Sequence, residues 1–354
     1  MEQKEWLDQV IEETLEPDLP ICDPHHHLWD YPENRYLLDD LLEDTNSGHN
    51  VVSTVFMECG AMYRAAGPEA YRPVGETEFV NGVAAMSASG LYGETRACAS
   101  IVGFADLSLG SAVGDVLDAH MDASGRFRGI RHATGWDASE DVRNSHTSPT
   151  EKLLGDKSFR EGFSELAKRN LTFDAWLYHS QIEELTALAR AFPEQPIVFD
   201  HFGGPLGIGP YQGKRDEIFS AWKEAVTELA RCDNVVAKLG GLVMPINGFG
   251  FNKAAKPASS EALESTTRDY YFHMIEVFGA DRCMFEKHKF TCIGDFPMIC
   301  RGSATKIITD PRPNESKSDA DPRPNSASAV CYDDIVKNHV RKIRRGKNVP
   351  PAAG

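Results

Sequence analysis

The 354 residues contain no apolar run close to the eighteen or more that a membrane-spanning helix takes, which leaves a bilayer nothing to hold. The acidic opening "MEQKEWLDQVIEETLEPD" lacks the basic and apolar regions of a secretory leader, so a cytoplasmic protein is expected. Basic residues are the scarcer charge. The 37 Lys and Arg face 53 Asp and Glu, a formal charge of −16 that argues against nucleic acid as a partner. The eight cysteines (22, 59, 98, 232, 283, 292, 300, 331) form no C-x-x-C pair, which suits reduced thiols better than a disulfide framework or zinc knuckle. No G-x-G-x-x-G follows the first apolar run and no P-loop occurs, so the common nucleotide cradles are missing.

What is present is an alternation. Short apolar runs read as eight strands: "LPICDPHH", "VVSTVFMEC", "ACASIVGFADL", "RFRGIRHAT", "LTFDAWLYH", "QPIVFDHF", "NVVAKLGGL" and "RCMFE". Helical segments follow the third to seventh of them, and in "IFSAWKEAVTELA" the apolar positions recur at three and four, as a helix packed on a sheet requires. Strands alternating with helices predict a parallel sheet, and eight such units close into a (β/α)8 TIM barrel, here over residues 18–300. An open doubly wound sheet is the alternative.

In such a barrel the chemistry sits at the C-terminal ends of the strands. If "ICDPHHHLWD" begins as a strand, Asp23, His25 and His27 project to one face and His26 to the other. Thr54, Phe56 and Glu58 share a face of the second strand, Arg131 ends the fourth, and His179 follows the fifth. His201 is in line with Ile197 and Phe199 on the sixth, and Lys238 lies on the seventh. Trp29, Trp136, Trp176 and Trp222 read as packing residues, and the Gly-rich stretches "HFGGPLGIGPYQG" and "MPINGFGF" as loops at the strand ends.

The ordered set "DPHHHLWD", "FRGIRH", "VFDHFGGP" and "NVVAKLGG" resembles the amidohydrolase-related (amidohydrolase 2) family of barrel hydrolases, near the pyrone-dicarboxylate and sugar lactonases, over roughly residues 18 to 286. The resemblance implies that His25, His27 and His201 are catalytic and would ligate a divalent metal, zinc foremost. A metal-free mechanism is an equal alternative in this branch. By the same resemblance Glu58 and Arg131 line the substrate pocket and His179 stands where some relatives carry another histidine ligand; His179 and Lys238 are also expected to contact substrate. The family closes with a carboxylate beyond strand eight that deprotonates the attacking water. "GDFPM" resembles that stretch and offers Asp295 as the base, seven residues late, with Glu286 at the strand end as competitor.

The expected function is the opening of a small carboxylated or sugar-derived lactone by activated water. A metal-dependent decarboxylase, a chain impaired by loss of the strand-eight aspartate and a non-catalytic binder are the alternatives. The expected partner is a small molecule, with no nucleic acid or membrane; homo-oligomers are left open. Residues 301–354, with the repeated "DPRPN" and a basic cluster from Lys337 to Lys347, read as a disordered low-complexity tail standing where the family's last helix seals the barrel, as a frameshift or unspliced segment would leave it.

Overall fold

The computed structural model describes residues 3–32 and 34–286. Eight parallel strands form one sheet: β1 Ile21–His26, β2 Val51–Met57, β3 Arg96–Gly103, β4 Phe127–Arg131, β5 Thr172–Ala175, β6 Ile197–Phe199, β7 Val235–Leu239 and β8 Cys283–Phe285. Each pairs with its neighbour in chain order, and β1 lies beside β8, so the sheet curls into a near-closed barrel. Seven helices follow the first seven strands: α1 Leu38–Thr45, α2 Val74–Ala88, α3 Val113–Ala123, α4 Lys157–Lys168, α5 Ile182–Ala191, α6 Arg215–Leu229 and α7 Ser260–Phe278. This is the expected (β/α)8 TIM barrel. No helix among the described residues is long and apolar enough to cross a membrane. Asp295 and the expected tail at 301–354 lie outside the described residues.

Two helices escaped the sequence. In α2 the buried residues Val74, Glu76, Thr77, Val80, Val83, Ala84 and Ser87 mix polar with apolar, and Pro73, Gly75 and Gly82 read as breakers, so no clean stripe marks it. The eight residues of α1 are too short to show a period.

Strand alternation divides the core into two layers. Phe56, Ile197 and Phe199 pack outward in the large cluster shared with the helices. Val55, Met57, Val102, Val198, Val236 and Met284 fill the barrel's interior, with Cys22 against them. Two residues further along the same inward phase, Val198 leads to Asp200, Val236 to Lys238 and Met284 to Glu286. The apolar interior thus gives way to ionisable groups at the C-terminal mouth, all of them buried.

Candidate active site

The H-x-H pair behaves as the alternation requires. His26 turns outward, where its Nε2 lies 2.8 Å from Thr54 Oγ1 and its ring meets Phe56 edge-on. His25 and His27 face the mouth with their Nε2 atoms 3.3 Å apart.

Each mouth histidine is fixed from behind. His27 Nδ1 donates to the Met57 carbonyl at 2.8 Å, which leaves its Nε2 as a lone pair. Burial, then the Arg131 charge, holds its pKa well below the ordinary 6.5, so the ring stays neutral. His25 lies among charged groups: its Nε2 is 3.3 Å from Arg131 Nη1, and its Nδ1 is 3.4 Å from Glu286 Oε1 and 3.5 Å from Lys238 Nζ. His201 Nδ1 lies 3.3 Å from both the Gly240 carbonyl and Glu286 Oε2, two acceptors, so it too presents Nε2.

His201 reaches the mouth by an irregular route. Its neighbours Ile197 and Phe199 point outward, and a regular strand would carry it the same way. Instead His201 and Phe202 adopt left-handed φ of 51° and 60°, a conformation that costs about 1–3 kcal/mol per non-glycine residue and turns the chain end back over the barrel. Asp200, in the inward phase, enters the site directly. Glu58 corrects the strand-face expectation in the same way: Phe56 packs outward, but β2 ends at Met57 and Glu58 turns inward.

Two glycines make room. A Cβ on Gly240 would sit 2.2 Å from Glu286 Oε2 and 2.5 Å from its Cβ, and one on Gly241, at φ +75°, would sit 2.3 Å from His201 Nδ1. The "LGG" after β7 is therefore the cradle of both groups.

The floor is ionic. Lys238, fully buried, places Nζ 2.6 Å from Asp174 Oδ1 and 3.1 Å from Asp200 Oδ1. Burial opposes its charge, but Asp174, Asp200 and Glu286 outweigh it and raise its pKa. Arg131 donates from Nε to Glu58 Oε1 at 2.7 Å and from Nη2 to the Glu58 carbonyl at 2.6 Å, with Nη1 4.0 Å from Asp200 Oδ2. Glu58 Oε2 also receives His146 Nε2 at 3.1 Å. Against the desolvation that would raise it, Arg131 and His146 lower the Glu58 pKa to about 2, and it is a carboxylate at any working pH.

Of the expected site residues the mouth thus gathers His25, His27, His201, Glu58, Arg131 and Lys238. His179 stands apart: its Nδ1 accepts from the Leu206 amide at 3.3 Å, its ring packs on Tyr211, and burial lowers its pKa to about 4. It pins the loop after β6. Asp174, Asp200 and His146 were missed. The first two were findable by counting in twos from Val198 and Lys238's neighbours on the sheet; His146 lies in a loop and carries no periodic signal.

Ligand-capable atoms of His25, Asp200 and His201 lie within 4.8 Å of one another, all buried, and His27 joins this group through His25. The Nε2 atoms of His25 and His27, 3.3 Å apart, can share a proton or a metal ion. Zn–N bonds of about 2.0–2.1 Å at a tetrahedral angle put two nitrogens ~3.3–3.4 Å apart. The donor set therefore fits a divalent ion.

Known proteins share this chain's sequence pattern and fold. Residues 22–286 match the Amidohydro_2 family model, described as amidohydrolase. The uncharacterized protein y4mH of Sinorhizobium fredii is 32% identical over 296 residues, covering 76% of this chain and 84% of that protein. An L-fucono-1,5-lactonase of Burkholderia ambifaria is 28% identical over 192 residues, 51% of this chain and 59% of the lactonase. A zinc-bound amidohydrolase structure from Burkholderia multivorans shares the fold, with TM-score 0.55 at 19% identity over 94% of this chain and 93% of that one. The chain belongs to the Amidohydro_2 family of amidohydrolases, and it is a hydrolase.

Proposed function

We propose that this hydrolase opens a small lactone, with Glu286 as the base that activates water. The observation that carries the reading is the convergence of Glu286, His25 and His201 at the barrel mouth, with the carboxylate 3.3–3.4 Å from the two ring nitrogens behind which it sits. The relatives named as L-fucono-1,5-lactonases support a lactone as substrate.

Hydrolysis needs a polarised carbonyl, a deprotonated water and donors for the oxyanion. Arg131, its Nε and Nη2 fixed on Glu58, has Nη1 turned toward the mouth, where it can donate to a carbonyl oxygen. Glu286, held beside Nδ1 of His25 and of His201, accepts the water proton. Lys238 stays buried under the site, keeping Asp174 and Asp200 apart and Asp200 aimed upward. A divalent ion, zinc foremost, would be held by His25, His201 and Asp200, with His27 alongside His25, and would act as a Lewis acid. Four buried carboxylates here (Glu58, Asp174, Asp200, Glu286) face two buried cations (Arg131, Lys238), an imbalance that such an ion offsets.

The test is turnover of sugar-derived and pyrone-type lactones by protein stripped with chelator and then reloaded with zinc, with Glu286→Gln and Asp295→Asn in parallel. Loss of about 10²–10⁴-fold in Glu286→Gln is expected. Loss confined to Asp295→Asn would move the base out of β8's end. Folded wild type that opens no lactone with or without metal, or that releases carbon dioxide from an acid substrate, would overturn the hydrolytic reading of the substrate.

A further inference from the structure

Lactone opening also needs a proton for the departing ring oxygen, and the groups described so far do not supply it. Arg131 does not give up its proton, Lys238 is buried between Asp174 and Asp200, and the Nδ1 proton of His27 is committed to the Met57 carbonyl. His146 differs from all of these. Its side chain is 39% exposed, yet its Nε2 reaches the fully buried Glu58. Among the described residues nothing bonds its Nδ1.

The ring is placed with care for a loop residue. The next residue, Thr147, donates its hydroxyl to the Ala133 carbonyl, and the preceding one, Ser145, donates its amide to the Gly135 carbonyl at 2.8 Å. The loop between is tied by Asp137 N to Asn144 Oδ1 at 2.7 Å, by the Tyr178 hydroxyl to the Arg143 carbonyl and by the Tyr211 hydroxyl to Asp137. Both flanks of His146 are therefore anchored to the exit of β4, two to four residues beyond Arg131. A histidine whose one nitrogen is oriented by a buried carboxylate and whose other has no bond among the described residues is the arrangement of an acid–base dyad.

We infer that His146, oriented by Glu58, is the general acid that protonates the leaving oxygen. This rests on the lactone reading above. As water oxygen bonds to the carbonyl carbon, its proton passes to Glu286; as the ring C–O bond breaks, its electron pair stays on the ring oxygen, which takes the Nδ1 proton of a doubly protonated His146 whose Nε2–H stays on Glu58. Glu286 then releases its proton to water and His146 recovers one from water. The net reaction is lactone plus water to hydroxy acid.

A general acid matters in proportion to the basicity of the leaving oxygen, whereas a structural histidine does not discriminate. His146→Gln is therefore assayed on an aliphatic 1,5-lactone, which expels an alkoxide, and on dihydrocoumarin, which expels a phenolate. The expected result is a kcat loss of about 10²–10⁴-fold on the aliphatic lactone and less than about 10-fold on the aryl one. His146→Ala should regain aliphatic-lactone turnover on addition of imidazole. Because the ring is partly exposed, both variants should keep the wild-type melting curve; the imidazole response separates chemistry from misfolding if one does not. Equal losses on both lactones, or no loss on either, would overturn the assignment while leaving the lactone reading intact. Wild type inert on both would overturn the two together.

Discussion

Lys238→Met is the most direct test of the ionic floor. At 2.6 Å and 3.1 Å, and with an effective dielectric of about 20, attraction of the ammonium to Asp174 and Asp200 amounts to roughly 6 and 5 kcal/mol. Desolvation of three fully buried charges offsets most of that, so the net worth of the assembled cluster is small. Removal of one partner is different, because the desolvation of the others is no longer answered. Breaking a buried pair this way costs about 3–5 kcal/mol, and at about 2–4 °C per kcal/mol the melting temperature should fall by roughly 6–20 °C. Lys238→Met/Asp174→Asn removes the cation together with its closest anion and leaves Asp200 near Arg131. It should be more stable than Lys238→Met alone, with a coupling of about 1–3 kcal/mol in the double-mutant cycle. Urea unfolding of the four proteins in chelator provides the numbers. A loss under about 1 kcal/mol in Lys238→Met, or strict additivity in the cycle, would refute the reasoning, since either would mean that the buried carboxylates do not depend on the lysine.

Three further outcomes follow from the geometry. Gly240→Ala places a methyl group within 2.2–2.9 Å of Glu286 atoms and should displace that carboxylate, lowering kcat at least tenfold with a stability loss of about 1–3 kcal/mol; unchanged kcat would contradict the cradle. Glu76, on the first turn of α2, accepts from the amides of Cys59 and Ala61 at 3.0 Å and 2.8 Å, and burial followed by the Glu58 charge raises its pKa from 4.5 to about 8. The folded state therefore holds this proton where the unfolded chain has lost it, so its contribution is complete below pH 4.5 and is lost as pH rises toward 8. Glu76→Gln should gain in melting temperature relative to wild type across that window, and a pH-independent difference would count against the shift. Zinc at about 100 times its Kd should raise the wild-type melting temperature by roughly 5–10 °C, about 2.7 kcal/mol by mass action, and should not do so in His25→Asn; an equal rise in both would place the ion elsewhere.

Much of the barrel was legible because strand alternation and helical periodicity are local. The eight strands were readable as apolar runs, and the H-x-H pair declared its own phase through Asp23, His25 and His27. What was not legible depends on local exceptions or on distance. His201 enters the site only because two consecutive non-glycine residues take left-handed φ, and nothing in "VFDHFGGP" says which of Asp200 and His201 turns inward; both do. Glu58 escapes its strand phase by lying one residue past the last paired position of β2. His146 meets Glu58 across 88 residues of sequence, from a loop without a period. The assignment of Lys238 to substrate followed its position at a strand end, whereas full burial between two aspartates makes it part of the floor.

The same distances tie the chemistry to the closure of the fold. Backbone pairing among the described residues runs from β1 round to β8, and at the mouth the two ends meet through His25 Nδ1 and Glu286 Oε1. The proton of His27 is fixed by a carbonyl of β2 and that of His201 by a carbonyl just after β7 and by Glu286, while His25 Nδ1 faces both Glu286 Oε1 and Lys238 Nζ. The tautomers of the site are thus set by acceptors on three different strands, and they hold only while the barrel is closed. Glu286 therefore combines two functions, an acceptor that seats two imidazoles and a base for water. Replacing it by alanine would remove both at once and report nothing about either. Glutamine keeps one oxygen for His25 or His201, sets an amide NH2 against the other ring, and removes the capacity to take a proton. For that reason Glu286→Gln with a preserved melting curve and lost turnover would identify the base, whereas a joint fall in both would identify only the seam.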